Sequence, residues 1–261
     1  MQKNRIHAAS RLLLTVALAL CVPGWAAQDS VPIGTILPVA LTSTLNTQKL
    51  KPGQAISAIV MQDVPASNLV VIPARSVVLG HVIAMTRPTQ GSGAHLTLQF
   101  DSLLVSKRRV AITVSLRAMA SMMDIDQAQI PEPGASDNPW TTVQVGGEIV
   151  YRSDGPVVRN LRVVGEPVPN GVLVQASGPP GSKCQDVFDD SDRRQALWVF
   201  SSDACGLYGM PGTTLLHAGS TRPVGQLELT SDQGDLIVRA GSGLLLQVIE
   251  PAPEPARRPG T

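Results

Sequence analysis

Leu96-Thr97-Leu98-Gln99-Phe100-Asp101 decides the class of this chain. Leu96, Leu98 and Phe100 point one way and Thr97, Gln99 and Asp101 the other, the period-2 signature of a strand with one core face and one wet face. Across the turn Ser106-Lys107-Arg108-Arg109, the residues Val110, Ile112, Val114 and Leu116 repeat the apolar phase, which predicts a long hairpin. The three basic residues at its tip read as a solvated turn, because so small a cluster supplies little attraction for a phosphate or a lipid headgroup.

Moving toward the N-terminus, turn signals punctuate short runs of Val, Ile, Leu and Thr: Val31-Pro32-Ile33-Gly34-Thr35, Lys51-Pro52-Gly53 and Ile72-Pro73-Ala74-Arg75-Ser76, then Gly80. That spacing predicts a small antiparallel β-barrel or sandwich over residues 31–118. The strand through Ile36, Val39 and Leu41 is expected at a sheet edge, since Pro38 lacks an N–H to donate. A second strand is expected at Ala55 to Val60, and Pro88, Gly91 and Gly93 mark a loop before the hairpin.

Moving toward the C-terminus, the pattern loosens. Met119, Met122 and Met123 read as adaptable core filler beside a strand end. Residues 119–140, with Pro131, Pro133, Gly134 and Pro139, read as a linker or long loop. A second β-rich domain is expected over 141–250, with strands at Thr142 to Tyr151, Val157 to Val164, Val172 to Ala176, Ala196 to Phe200, Thr213 to His217, Gly225 to Thr230, Asp235 to Arg239 and Leu244 to Ile249. Leu244-Leu245-Leu246 is unbroken, as a strand buried on both faces would be. Four prolines and no core residue make 251–261 a disordered tail. The expected fold class is therefore all-β, with no sustained helical periodicity.

The first residues read as an export signal. Lys3, Arg5 and Arg11 precede an apolar run from Leu12 to Leu20, and Gly24, Ala26 and Ala27 are small, so residues 1–26 are expected to be removed after Ala26. The run is shorter than the roughly 20 residues of a spanning helix, so no transmembrane helix is expected in the mature chain. An alternative is a lipid anchor at Cys21, within Leu18-Ala19-Leu20-Cys21, although a lipoprotein box normally carries a small residue where Leu20 stands.

Of three cysteines, removal of the leader leaves Cys184 and Cys205. A pair in an oxidising compartment is expected to form a disulfide. It would close a loop of about 20 residues, worth roughly 3 kcal/mol in the chain-entropy model. The periplasm or the extracellular space is the expected location.

Composition bounds the partners. With 21 Lys and Arg against 20 Asp and Glu, the formal net charge is +1. That balance gives no general attraction to nucleic acid, so no nucleic-acid partner is expected. The 23 Gly and 21 Pro are spread along the 261 residues, which suits many short strands joined by turns.

The phrase Ile72-Pro73-Ala74-Arg75-Ser76 to Gly80, after the Val31 to Thr44 pattern, the Pro-Gly turn and Asp63-Val64, resembles the C-terminal β-domain of the VirB10/TrbI components of type IV secretion and conjugation systems. It is similar also to exported bacterial β-proteins that share an "IPAGS…G" phrase. Arg75 stands where that phrase has glycine, which puts the tight turn in doubt. The resemblance covers residues 31–117 and implies a fold, a cell-envelope compartment and a link to a secretion assembly.

No residue is nominated as catalytic, cofactor-binding or metal-ligating. Asp186, Asp189, Asp190 and Asp192 lack the glycine and glutamate register of an EF-hand. His7, His81, His95 and His217 show no ligand spacing, and no G-x-S-x-G elbow occurs. The expected function is a non-enzymatic envelope protein that binds a protein partner or assembles with copies of itself. The alternative is a secreted hydrolase or carbohydrate-binding protein using a cleft between the two halves, with Trp140, Trp198 or Tyr208 as a stacking platform.

Overall fold

A computed structural model describes residues 30–66, 71–129, 141–144, 148–151, 157–159, 162–168, 171–175, 194–201, 204–232 and 234–250. The first run of strands is β1 (Ile36–Leu41), β2 (Leu45–Asn46), β3 (Ala55–Val60), β4 (Val64–Pro65), β5 (Val71–Ile72), β6 (Val77–Thr86), β7 (His95–Val105), β8 (Arg108–Ala111) and β9 (Val114–Ala120). A short helix, α1 (Met122–Gln129), follows. Then come β10 (Thr141–Gln144), β11 (Glu148–Tyr151), β12 (Val157–Arg159), β13 (Arg162–Val168), β14 (Gly171–Gln175) and β15 (Arg194–Ala196). The last run is β16 (Gly206–Tyr208), β17 (Thr213–Leu216), β18 (Gln226–Ser231), β19 (Ile237–Val238) and β20 (Gly243–Val248).

The chain is all-β apart from α1. Its main sheet has ten strands in the order β16-β9-β20-β1-β3-β6-β7-β18-β17, with β8 beside β7. The two outermost strands of that order, β16 and β17, are consecutive in the chain and joined by the short turn at 209–212, so the sheet curls into a nearly closed barrel. Inside it lie Val39, Val60, Leu98, Phe100, Leu116, Leu229 and Leu246, drawn from six strands along the chain.

The expected boundary at residue 118 separates strands that share this sheet. β20 pairs with β1 and β9, and β18 pairs with β7. The reason is the apolar phase: Leu227, Leu229, Leu244 and Leu246 bury the same inward face as Leu37 and Leu98. β10 to β15 form a separate sheet of six antiparallel strands in chain order, and β2 with β19 and β4 with β5 form two small two-stranded sheets.

β1 is not an edge strand. It pairs with β20 on one side and β3 on the other. Pro38 is tolerated because its carbonyl accepts from Met61 N at 3.0 Å, one step beyond the end of β3, so its missing N–H faces the last rung of that ladder.

The expected linker at 119–140 is also corrected in its first part. Met119 is buried in β9, and 122–129 is helical. Ser121 caps α1, its hydroxyl accepting from Asp124 N at 3.1 Å and donating to the Asp124 carboxylate at 2.9 Å. Ile125 and Ala128 then press onto Ile36, Ala118, Ala120 and Leu245, the outward residues of β1, β9 and β20. This outer cluster, completed by Leu197, Trp198, Val199 and Phe200, explains why every residue of β9 and β20 is buried. Leu244-Leu245-Leu246 is buried on both faces, as its unbroken run predicts.

The leader at 1–26, the remainder of the expected linker and the tail at 251–261 lie outside the described residues. Among the described residues no helix is long and apolar enough to cross a membrane.

Candidate functional site

Two glutamines dock the small sheet on the barrel. Gln62, just past β3, is fully buried and its side-chain amide behaves as an extra peptide group. Its Nε2 donates to Val172 O at 2.8 Å, and its Oε1 accepts from Val172 N at 3.3 Å and from Trp198 N. Gly171 is required here, because a Cβ would come within 2.1 Å of Gln62 Oε1. In return, Gln195 of β15 accepts from Ile36 N of β1 at 3.2 Å. A buried amide with its partners supplied costs little, whereas the same amide unpaired is expensive.

Beside this joint opens a cleft of about 710 Å³ between the β1–β3 wall of the barrel and the β13–β14 hairpin. Ile59, Met61, Pro167 and Val168 line it and stay half-buried, so apolar surface remains accessible within it. Among the described residues of the lining, Arg75 is the one that carries a charge. It sits at φ 70° in the turn Pro73-Ala74-Arg75-Ser76, where Ser76 N donates to Pro73 O at 3.2 Å. Position three of a type II turn needs a positive φ and so favours glycine. The turn forms with arginine nonetheless, held by Arg75 N to Val60 O at 2.8 Å and by Ala74 N to the Asp63 carboxylate at 2.8 Å. The doubt that the missing glycine raised over this turn is thereby removed. Gly80, which closes the phrase, lies at a register shift of β6 where a Cβ would meet Gln99 O at 2.1 Å.

A second polar arrangement lies on the outward face of β6, β7, β17 and β18. His81 Nδ1 is 3.0 Å from Asp101 Oδ2, and Ser102 donates to Asp101 Oδ1 at 2.6 Å. Arg109 Nε donates in turn to Ser102 Oγ at 3.0 Å. The serine thus bonds the carboxylate and not the histidine, which is the wrong order for nucleophile activation, where the base must face the hydroxyl. Nearby, His95 Nε2 and His217 Nε2 approach Glu228 Oε2 at 3.7 and 3.9 Å. Sequence spacing could not pair His95 with His217, because only the β7–β18–β17 ladder brings them together. Among the described residues no group of three or more His, Cys, Asp or Glu could hold a metal.

The remaining candidates are placed as follows. Trp198 is 6% exposed, belongs to the outer cluster and also lines the cleft. Tyr208 uses its hydroxyl on Cys205, accepting from its N–H at 3.1 Å and donating to its carbonyl at 2.8 Å. Cys205 is buried. Of the methionines, Met119 is core, Met123 is exposed, and Met122 and Met123 line a smaller hollow of about 280 Å³ with Met210. Cys21, His7, Trp140, Cys184 and the aspartates at 186, 189, 190 and 192 lie outside the described residues. No family model matches this chain, and no curated protein matches it.

Proposed function

We propose that this chain is an exported protein of the bacterial cell envelope that works by binding rather than by catalysis, taking a protein partner or further copies of itself. The cleft carries this reading: a barrel and a small sheet, locked by Gln62 and Gln195, hold open an accessible hollow whose described lining is mostly apolar and includes Arg75. Rigid strands positioning a concave, partly apolar surface are the ordinary construction of a binding site. The polar groups on the opposite face are engaged with one another in an order that activates no nucleophile.

Export is supported by the basic, apolar and small-residue succession of the first 26 residues. The likeness of residues 31–117 to VirB10/TrbI-type β-domains supports a role beside a secretion or conjugation assembly. A disulfide between Cys184 and Cys205 belongs to the same reading, and Cys205 is buried.

The test is expression of the full chain in a Gram-negative host, followed by mass and size measurement of the periplasmic product. A product that begins at Ala27, carries no free thiol and elutes with a partner or as a multiple of its own mass is expected. A reduced, uncleaved product in the cytosol would overturn export, and a lone monomer that retains nothing from a periplasmic extract would overturn the binding role.

A further inference from the structure

The cleft beside Gln62 has a specific chemistry. Its half-buried side chains, Ile59, Met61, Pro167 and Val168, form an apolar track, and Arg75 lies on the same wall. No carboxylate among the described residues pairs with the Arg75 guanidinium. The cation is therefore left to solvent or to a ligand. The backbone at Arg75 is in the left-handed region, where glycine is the unstrained choice. A residue held against its backbone preference beside a cavity points from strain to use. The volume of about 710 Å³ is that of a small-molecule site.

We propose that this cleft holds a single-chain amphiphile with an anionic head, carboxylate or phosphate, the head on Arg75 and the chain along Ile59, Met61, Pro167 and Val168. The planar guanidinium matches both heads, because two parallel N–H groups can donate to two oxygens of either. The other polar side chain that lines the cleft among the described residues, Gln129, is uncharged and donates to Ile125 O at 3.2 Å, so Arg75 is the described group that meets an anionic head by charge. This inference rests on the chain working by binding and gives the cleft itself to a small ligand, which leaves the protein partner or second copy to the surface outside it.

Titration calorimetry of the mature protein tests it with dodecanoate, dodecyl phosphate, dodecanol, dodecyltrimethylammonium, acetate and inorganic phosphate, all below micellar concentration. The two long-chain anions are expected to bind one per chain. Dodecanol and the ammonium amphiphile should bind at least tenfold more weakly, and acetate and inorganic phosphate more weakly still. Arg75→Gly suits the backbone it replaces, so it should fold, as a thermal melt will verify, and should lose at least tenfold in affinity for both anions with no loss for dodecanol. Arg75→Lys should retain the preference for anions.

Equal affinity for dodecanol and dodecanoate, an Arg75→Gly variant with unchanged anion binding, or inorganic phosphate binding as tightly as dodecyl phosphate would each overturn the inference. So would tighter binding of a peptide with an apolar C-terminus, which would assign the cleft to a protein chain. Should the protein still carry a partner or self-associate while ignoring amphiphiles, the ligand class fails and the proposed binding role stands. Amphiphile binding by a partnerless monomer would be the reverse.

Discussion

Arg75 and Gln62 show how much single residues decide here. Arg75 keeps a left-handed turn that glycine would adopt freely, so Arg75→Gly should raise stability by about 0.5–1 kcal/mol, the usual relief of a non-glycine residue at positive φ less the added freedom of the unfolded chain. Urea unfolding will measure it. Gln62 carries the opposite sign: Gln62→Leu strands the N–H groups of Val172 and Trp198 in a buried joint, while the Val172 carbonyl keeps its bond from Leu197 N at 3.2 Å. The expected loss is about 2–6 kcal/mol, from a penalty of roughly 1–3 kcal/mol for each of the two orphaned buried groups. If chemical unfolding of Gln62→Leu matched the parent, the amide would not be what seats the small sheet. Neither residue was legible as a site. Arg75 was visible only as a departure from a glycine position, and nothing in a sequence tells a glutamine that it will meet a backbone 110 residues away.

At the scale of the element, strands were legible and partners were not. The alternation at 96–101 marks a real strand with Leu96, Leu98 and Phe100 inside, and Ala55 to Val60 is β3 to the residue. The hairpin it was expected to open is shorter than the apolar phase suggests. β8 ends at Ala111, and Val114 to Ala120 leaves to pair with β20. Phase reports which face is apolar and says nothing of which neighbour covers it. The helix was missed because eight residues of mixed polarity give no stripe to read, yet the Ser121 to Asp124 spacing was a capping signature in plain view. Removing that cap in Ser121→Ala should cost about 1 kcal/mol, seen as a lower thermal midpoint. Leu245, flanked by two core leucines but facing outward into the α1 cluster, gives a stronger case. Leu245→Ala should cost about 2–5 kcal/mol, whereas an outward leucine on an uncovered barrel wall would cost almost nothing.

For the molecule as a whole, the sheet is sewn together by its two ends. Residues 36–41 lie between 243–248 on one side and 55–60 on the other. Shortening the chain to end at residue 242 should therefore abolish the barrel rather than remove a terminal module, because it strips inward leucines and exposes the ladders of β1 and β9 together. Circular dichroism of such a fragment is expected to show a largely unfolded chain; a folded fragment with cooperative melting would mean that β1 and β9 hold their places without β20. The all-β class could be read from turn residues and alternation. The single shared sheet could not, since sequence order places its closing strand more than 200 residues from the strand it joins.

That seam has a mechanical side. Gly34 N donates to Val248 O at 2.8 Å, so the chain enters and leaves the barrel at the same pole, along antiparallel neighbours. Tension applied between those two points would open the β1–β20 ladder one rung at a time, like a zip, instead of loading all its rungs at once. A fold with that geometry suits a body hung from one attachment point, and makes a poor link in a line under load.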